Sequence, residues 1–355
     1  MAEASGRIDS IRQDVERSVF RAKNGIKYVA GIGRPKVGLS PKDLIWTREN
    51  TRLFRYHGSA PSGQRPLVIV WSLANRAYIL DLRPGQSLIE QFLAAGNDVF
   101  LIDWTDPEPV DSRNTLETYV DNYLPAAFAA AMDHAGTDEI DVLGYCFGGT
   151  MSLLSAAGHP NMPLGGLVVM ATPVDFSVLE GLIDLIRKGD VDVDDVLDDS
   201  GNVPAEVVYR AFALLRPTAN VFNYATLWER MWNDKFVESY QAMGEWLSDQ
   251  VPFPGGVMRQ MSDLFIQRNL LAKDRVRLGG RAVRLADIRA PVLNVMAKHD
   301  HVVPPASSAV LTDLVGSADA STLTIPAGHI SLATGRDMIK TTAPNIIEWL
   351  EARRA

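Results

Sequence analysis

The stretch Ile140-Asp141-Val142-Leu143-Gly144-Tyr145-Cys146-Phe147-Gly148-Gly149 joins an apolar run of strand length to residues 150–157, which are compatible with helix. The cysteine stands in the spacing G-x-C-x-G, with a third glycine beyond. That spacing belongs to a tight strand-to-helix turn that holds a nucleophile at the top of a sheet, where small neighbours relieve the crowding. The free N–H groups and dipole of the following helix favour a thiolate and a developing oxyanion. A small buried cysteine in a Gly-rich helix start is the competing structural reading. Its place after an apolar strand, among three glycines, favours the chemical one.

Outward from this turn, the short apolar runs at 67–71, 98–102 and 167–170 read as buried strands. Helical periodicity at 87–95 and 116–134 lies between them, so strands alternate with helices as in a mostly parallel α/β sheet covered on both faces. Residues 52–56 alternate and read as an edge strand. From about 176 to 286 the rhythm stops, and the composition turns helical, acidic and Trp-bearing, with Trp228, Trp232 and Trp246. This segment is expected to be an inserted helical cap. The alternation resumes with a strand at 292–296, a helix near 307–314, a strand at 322–325 and a closing helix near 339–350. Apolar positions at helical spacing from 8 to 29 suggest an amphipathic surface helix. The resulting division is a helical segment at 1–45, core at 46–175, cap at 176–286 and core again at 287–355.

A nucleophile needs a base, and the base needs a group to orient it. The strand at 292–296 runs into Lys298-His299-Asp300-His301, and the strand at 322–325 runs into Gly328-His329. Nucleophile, acid and histidine in that chain order, at strand ends, is the arrangement of α/β-hydrolases. Cys146 is therefore assigned as nucleophile, His329 as general base and Asp300 as the carboxylate that fixes its tautomer. Asp103 and Asp141 are weaker candidates for the acid. His301 could tune Asp300, bind substrate or close the turn. His57, His134, His159 and His299 show no partner pattern and are expected at the surface. For the oxyanion hole the same turn nominates the backbone N–H of Phe147, with Leu73 and Ala74 from the loop after residues 67–71.

Composition narrows the partners. Over 355 residues, 46% hydrophobic and 22% charged, the net charge is −8 and the pI near 5.3, which disfavours a broad nucleic-acid footprint. No run of 18 apolar residues occurs, so no integral membrane association is expected, and the N-terminus lacks the apolar run of a signal peptide, which points to the cytoplasm. One cysteine excludes an intrachain disulfide and a zinc site built on several thiolates. The acidic run Asp190-Val191-Asp192-Val193-Asp194-Asp195 lacks the glycine and glutamate that a calcium loop needs, and no metal or cofactor is expected.

Several segments together resemble the catalytic subunit of two-component polyhydroxyalkanoate synthases, from about Pro41 onward. They include Ser72-Leu73-Ala74-Asn75-Arg76-Ala77-Tyr78, Asp98-Val99-Phe100-Leu101-Ile102-Asp103-Trp104, the cysteine turn and Ala171-Thr172-Pro173-Val174-Asp175-Phe176. Gly201-Asn202-Val203-Pro204, Asp300-His301-Val302-Val303-Pro304-Pro305 and Gly328-His329-Ile330 continue the match. The resemblance implies that a 3-hydroxyacyl-CoA, short-chain in this reading, acylates Cys146, that CoA leaves, and that a polyester chain grows. It places the family's nucleophile on Cys146, its acid on Asp300, its base on His329 and its acid-adjacent histidine on His301. It further implies a homodimer, a second non-catalytic subunit of the PhaE or PhaR kind, and a place at the surface of polymer granules. Residues Phe222, Tyr224, Trp228 and Trp232 could offer an apolar face for partner or polymer, although core packing is the more ordinary use of such aromatics. Phe147 stands where the family often has Gln, a departure that bears on pocket shape. The competing readings are a depolymerase or thioesterase on the same scaffold and a non-catalytic granule-binding protein.

Overall fold

The aliphatic runs become the centre of an eight-stranded sheet in a computed structural model that describes residues 16–28, 36–61, 63–215 and 226–354. The strands are β1 (Lys42–Arg48), β2 (Thr51–Tyr56), β3 (Leu67–Val70), β4 (Val99–Trp104), β5 (Ile140–Tyr145) and β6 (Leu164–Met170). A short hairpin, β7 (Val276–Leu278) and β8 (Arg281–Val283), precedes β9 (Val292–Ala297) and β10 (Ala320–Ile325). The sheet order is β1-β2-β4-β3-β5-β6-β9-β10, antiparallel in the first two pairings and parallel in the rest.

Burial on both faces explains why the central strands are mostly apolar. In β3, Val68 and Val70 enter one core and Leu67 and Ile69 the other, all fully buried. Each such side chain contributes about 1.5–3 kcal/mol relative to exposure. Helices α1 (residues 16–28), α2 (Leu88–Ala94), α3 (Leu124–Ala135) and α4 (Phe147–Gly158) come before β6. Between β6 and β9 lie α5 (Leu182–Lys188), α6 (Ala205–Leu214), α7 (Asp234–Ser248) and α8 (Gly255–Met261), and the chain closes with α9 (Ala343–Glu351). Helices α3 and α4 share one core, while α2 and α9 share the other.

Two readings change. Residues 51–56 are not an edge strand, because β1 pairs outside them. A register shift between Leu44 and Trp46 and a half-exposed surface blur the alternation of β1, which hides it in the sequence. The segment 176–286 is not wholly helical either. Gly279 and Gly280 both take positive φ, 54° and 79°, and turn β7 into β8, a Gly-Gly hairpin signal that the surrounding helical composition masks.

Of the helix expected over 8–29, residues 16–28 are helical and the remainder lies outside the described residues. This helix packs on the insertion: Asn24 Nδ2 donates to Met231 O and to Asp234 Oδ1, each at 2.7 Å. Trp246 is buried, with its indole N–H donating to Arg76 O at 2.7 Å, so it is a packing residue. Trp232 is half-buried beneath Arg17, Trp228 is 63% exposed, and Phe222 and Tyr224 lie outside the described residues. No helix among the described residues is long and apolar enough to cross a membrane.

Candidate active site

At the C-terminal end of β5 the chain turns through Cys146, whose φ of 53° and ψ of −126° lie outside the regions L-residues prefer, and enters α4 directly. The turn is held by its main chain: Cys146 N–H donates to Met170 O at 2.9 Å, and Cys146 O accepts from Gly149 N–H at 3.0 Å. The glycines are required by close approach. A Cβ on Gly144 would sit 2.5 Å from Gly149 Cα, and one on Gly148 would overlap Val70 O and reach 2.7 Å from the Trp71 main chain. One on Gly149 would overlap Thr172 Oγ1. Their absence of side chains lets α4 start hard against β3 and the end of β6.

The acid and histidine come from the ends of neighbouring parallel strands. Asp300 Oδ1 accepts the N–H groups of Val302 and Val303, both at 2.8 Å, and Oδ2 lies 2.7 Å from His329 Nδ1. Both side chains are nearly inaccessible. A main-chain bond from His299 N–H to Ala327 O at 2.9 Å ties the two loops together. Burial opposes protonation of the His329 ring. The Asp300 carboxylate, hydrogen-bonded to it, and the nearby Cys146 side chain more than offset that and raise its pKa from 6.5 to about 10. At neutral pH the imidazole therefore holds its proton between sulfur and carboxylate.

That shift has a pH signature. A group whose pKa rises on folding contributes stability below its unfolded pKa, and the contribution is lost as the pH climbs through the folded value. The pair's contribution is thus present near pH 6 and fades between about 6.5 and 10. In melting curves, Asp300→Asn should fall well below the wild type at pH 6 and converge with it towards pH 10. A gap that stays constant over this range would contradict the assignment.

Cys146 opens onto a cavity of about 180 Å³ whose lining includes Phe147, Phe176, Val208, Phe253, Val302 and Ser72. The walls are almost entirely apolar and are contributed by the sheet ends and by the insertion. Neither Asp300 nor His329 belongs to that lining; they stand behind the cysteine. Phe147 is 6% exposed and meets Phe253 edge-on at 5.9 Å, so the residue after Cys146 helps to wall the cavity. Of the two loop residues nominated as donors, Ala74 already gives its N–H to Ser72 Oγ at 3.3 Å.

The other candidates are not brought into the site. Asp141 lies at the opposite end of β5 between Arg65, at 3.3 Å, and Arg354, at 2.8 Å. Asp103 pairs with Arg52 at 3.3 Å. His301 is exposed and does not line the cavity. Of the histidines expected at the surface, His57, His134 and His299 are exposed and His159 is half-buried, and three meet partners that no sequence pattern marks: His57 meets Asp43 at 2.9 Å, His159 meets Asp121 at 3.1 Å, and His134 accepts from Arg55 at 3.3 Å. Those partners lie 14, 38 and 79 residues away in sequence, so no local spacing announces them. Sequence reasoning gives Ser72 and Tyr145 no place in the site. The Tyr145 hydroxyl donates to the main-chain carbonyl of His329 at 2.6 Å, across 184 residues of chain that carry no local signal.

Comparison with known proteins fits this geometry. A sequence model of the alpha/beta hydrolase fold family matches residues 66–335. The chain is 33% identical over 351 residues to the poly(3-hydroxyalkanoate) polymerase subunit PhaC of Allochromatium vinosum, covering 98% of each protein. With the protein of the same name from Haloferax mediterranei the identity is 34% over 327 residues, 91% of this chain and 66% of that one. Among solved structures, the monoacylglycerol lipase of Paleococcus ferrophilus superposes with a TM-score of 0.54 at 17% identity, over 85% of this chain and 99% of the lipase, a likeness of fold.

Proposed function

Because this chain belongs to the poly(3-hydroxyalkanoate) polymerases of the alpha/beta hydrolase fold, we propose that it polymerises 3-hydroxyacyl-CoA on Cys146, with His329 as base and Asp300 orienting it. The observation that carries this reading is the buried Asp300–His329 contact at 2.7 Å behind a cysteine that opens onto an apolar cavity. The sulfur attacks the thioester carbonyl, the bond to CoA breaks, and the departing thiolate takes the proton that His329 holds. The hydroxyl of another 3-hydroxyacyl-CoA then gives its proton to His329 and attacks the acyl group. An ester forms, the bond to Cys146 breaks, and the thiolate beside an imidazolium is restored.

The N–H of Phe147 is the first of α4 and has no acceptor within its helix, so it suits the oxyanion. Leu73 is the better second donor, since the Ala74 N–H is engaged. Asp300 spends both oxygens on Val302, Val303 and His329, which favours an orienting role over contact with the incoming hydroxyl. His301, exposed next to it, has no part in this scheme. Apolar walls hold water poorly and protect the acyl-enzyme from hydrolysis, and the small volume suits short acyl groups. With one cysteine in the sequence, a growing ester cannot pass between two thiols of the same chain. Within one chain it must alternate between Cys146 and CoA. The same reading includes a homodimer, a second subunit of the PhaE or PhaR kind and a position on polymer granules in the cytoplasm. Exposed Val19, Phe20, Ile26 and Trp228 offer apolar surface for such contacts.

The test is incubation with 3-hydroxybutyryl-CoA, reading CoA release and the form of the product. Release matched by insoluble ester is expected. Release matched by free 3-hydroxybutyrate would make the protein a thioesterase.

A further inference from the structure

Three parts of the site converge on one aromatic stack. The Tyr145 ring, in the residue before the nucleophile, lies 4.6 Å from that of Trp71 with 16° between planes. It meets the His329 ring at 5.3 Å and 68°. Trp71 directly follows β3 and is pinned at two polar groups. Its indole N–H donates to Asn75 O at 2.9 Å, bracing the loop that holds Leu73, and its carbonyl accepts from Trp104 Nε1 at 2.9 Å. Tyr145 and Trp71 are each 1% exposed.

His329 follows Gly328 in a loop and begins a single short helical turn, so its backbone gains little from regular structure. Its carbonyl accepts a long bond from Leu332 N–H, at 3.4 Å, and a short one from the Tyr145 hydroxyl, at 2.6 Å. The ring is held at Nδ1 by Asp300. A ring fixed only there can pivot about that contact and carry its other nitrogen away from sulfur. Fixing the main chain as well removes the pivot.

We infer that Tyr145 is a positioning residue, whose hydroxyl, held in place by the stack on Trp71, fixes the backbone of His329 so that the imidazole faces Asp300 and Cys146 together. The inference rests on the reading of Cys146 and His329 as nucleophile and base. Burial, together with the charges of Cys146 and Asp300, pushes the Tyr145 hydroxyl well above its ordinary pKa, so it stays a donor at every working pH.

Tyr145→Phe keeps the ring, the stack and the volume and removes one hydrogen bond. If the hydroxyl only fills the core, the variant should melt slightly lower with turnover unchanged. Positioning requires more: kcat about tenfold lower, equivalent to about 1.4 kcal/mol, with KM within twofold. Alkylation by iodoacetamide at pH 7, followed by mass spectrometry, reads the same property without substrate, and Cys146 is the one thiol that can react. Its rate should fall in parallel. In a His329→Ala background the added Tyr145→Phe change should have no further effect on alkylation, because the two act as one unit. Unchanged kcat and alkylation in a folded Tyr145→Phe protein, or a tenfold loss that persists without His329, would overturn the inference. If His329→Ala by itself left alkylation and turnover at wild-type levels, the assignment of the base would fail instead.

Discussion

Cys146→Ala should release CoA at least about 10⁴-fold more slowly than the wild type, since removal of a covalent nucleophile leaves only binding and oxyanion stabilisation. The fold should persist, because the side chain lies at the edge of its core cluster and alanine occupies the same backbone with the same strain. Cys146→Gly separates strain from chemistry. At a φ of 53° glycine avoids the crowding that any Cβ meets, so this variant should be as inactive as alanine yet more stable by about 1 kcal/mol. Calorimetry and CoA release on both proteins provide the check. Turnover above about 1% of wild type in either would remove Cys146 from the mechanism.

Gly148→Ala should damage the protein from the other side. The new methyl would overlap Val70 O and crowd the main chain of Trp71 just beyond it, and Val70 belongs to a central strand that cannot move without breaking its pairing. Overpacking against backbone costs roughly 3 kcal/mol, which in a chain of this size lowers the melting temperature by about 4 °C. Lifting the start of α4 also displaces the Phe147 N–H, so turnover should fall in whatever fraction folds. Gly149→Ala provides the contrast. Its obstruction is the Thr172 side chain, and Thr172→Ala should restore much of the lost stability, whereas no single side-chain deletion relieves Gly148→Ala. A Gly148→Ala protein melting within about 1–2 °C of wild type would show that the elbow is looser than its geometry implies.

The parallel sheet was legible because a strand buried on both faces is apolar along nearly its whole length, as 67–70 is and as 140–145 is apart from Asp141. The approach of Asp300 to His329 could be anticipated for a related reason. Adjacent parallel strands end at the same edge of the sheet, so the loops that leave β9 and β10 must be neighbours. The features that escaped detection are set by contacts that leave no period. The β1 strand has a bulge and polar faces, and the β7–β8 hairpin is three residues a side within helical sequence. The Tyr145 hydroxyl finds its acceptor only through the closed sheet. The pairs of His57 and His159 likewise depend on neighbouring elements rather than on spacing.

The pairing of β6 with β9 joins residue 167 to residue 292, so two adjacent strands of the central sheet are made far apart in time. While the ribosome is still producing the intervening helices, β6 presents an apolar edge with no strand beside it, the condition under which partly made chains aggregate. Such non-local closure is also slow to nucleate. Residue 146 is synthesised early and residue 329 late, so on the mechanism proposed above a nascent chain carries a sulfur without its base. On that mechanism polymer growth begins only on molecules whose synthesis has passed β10.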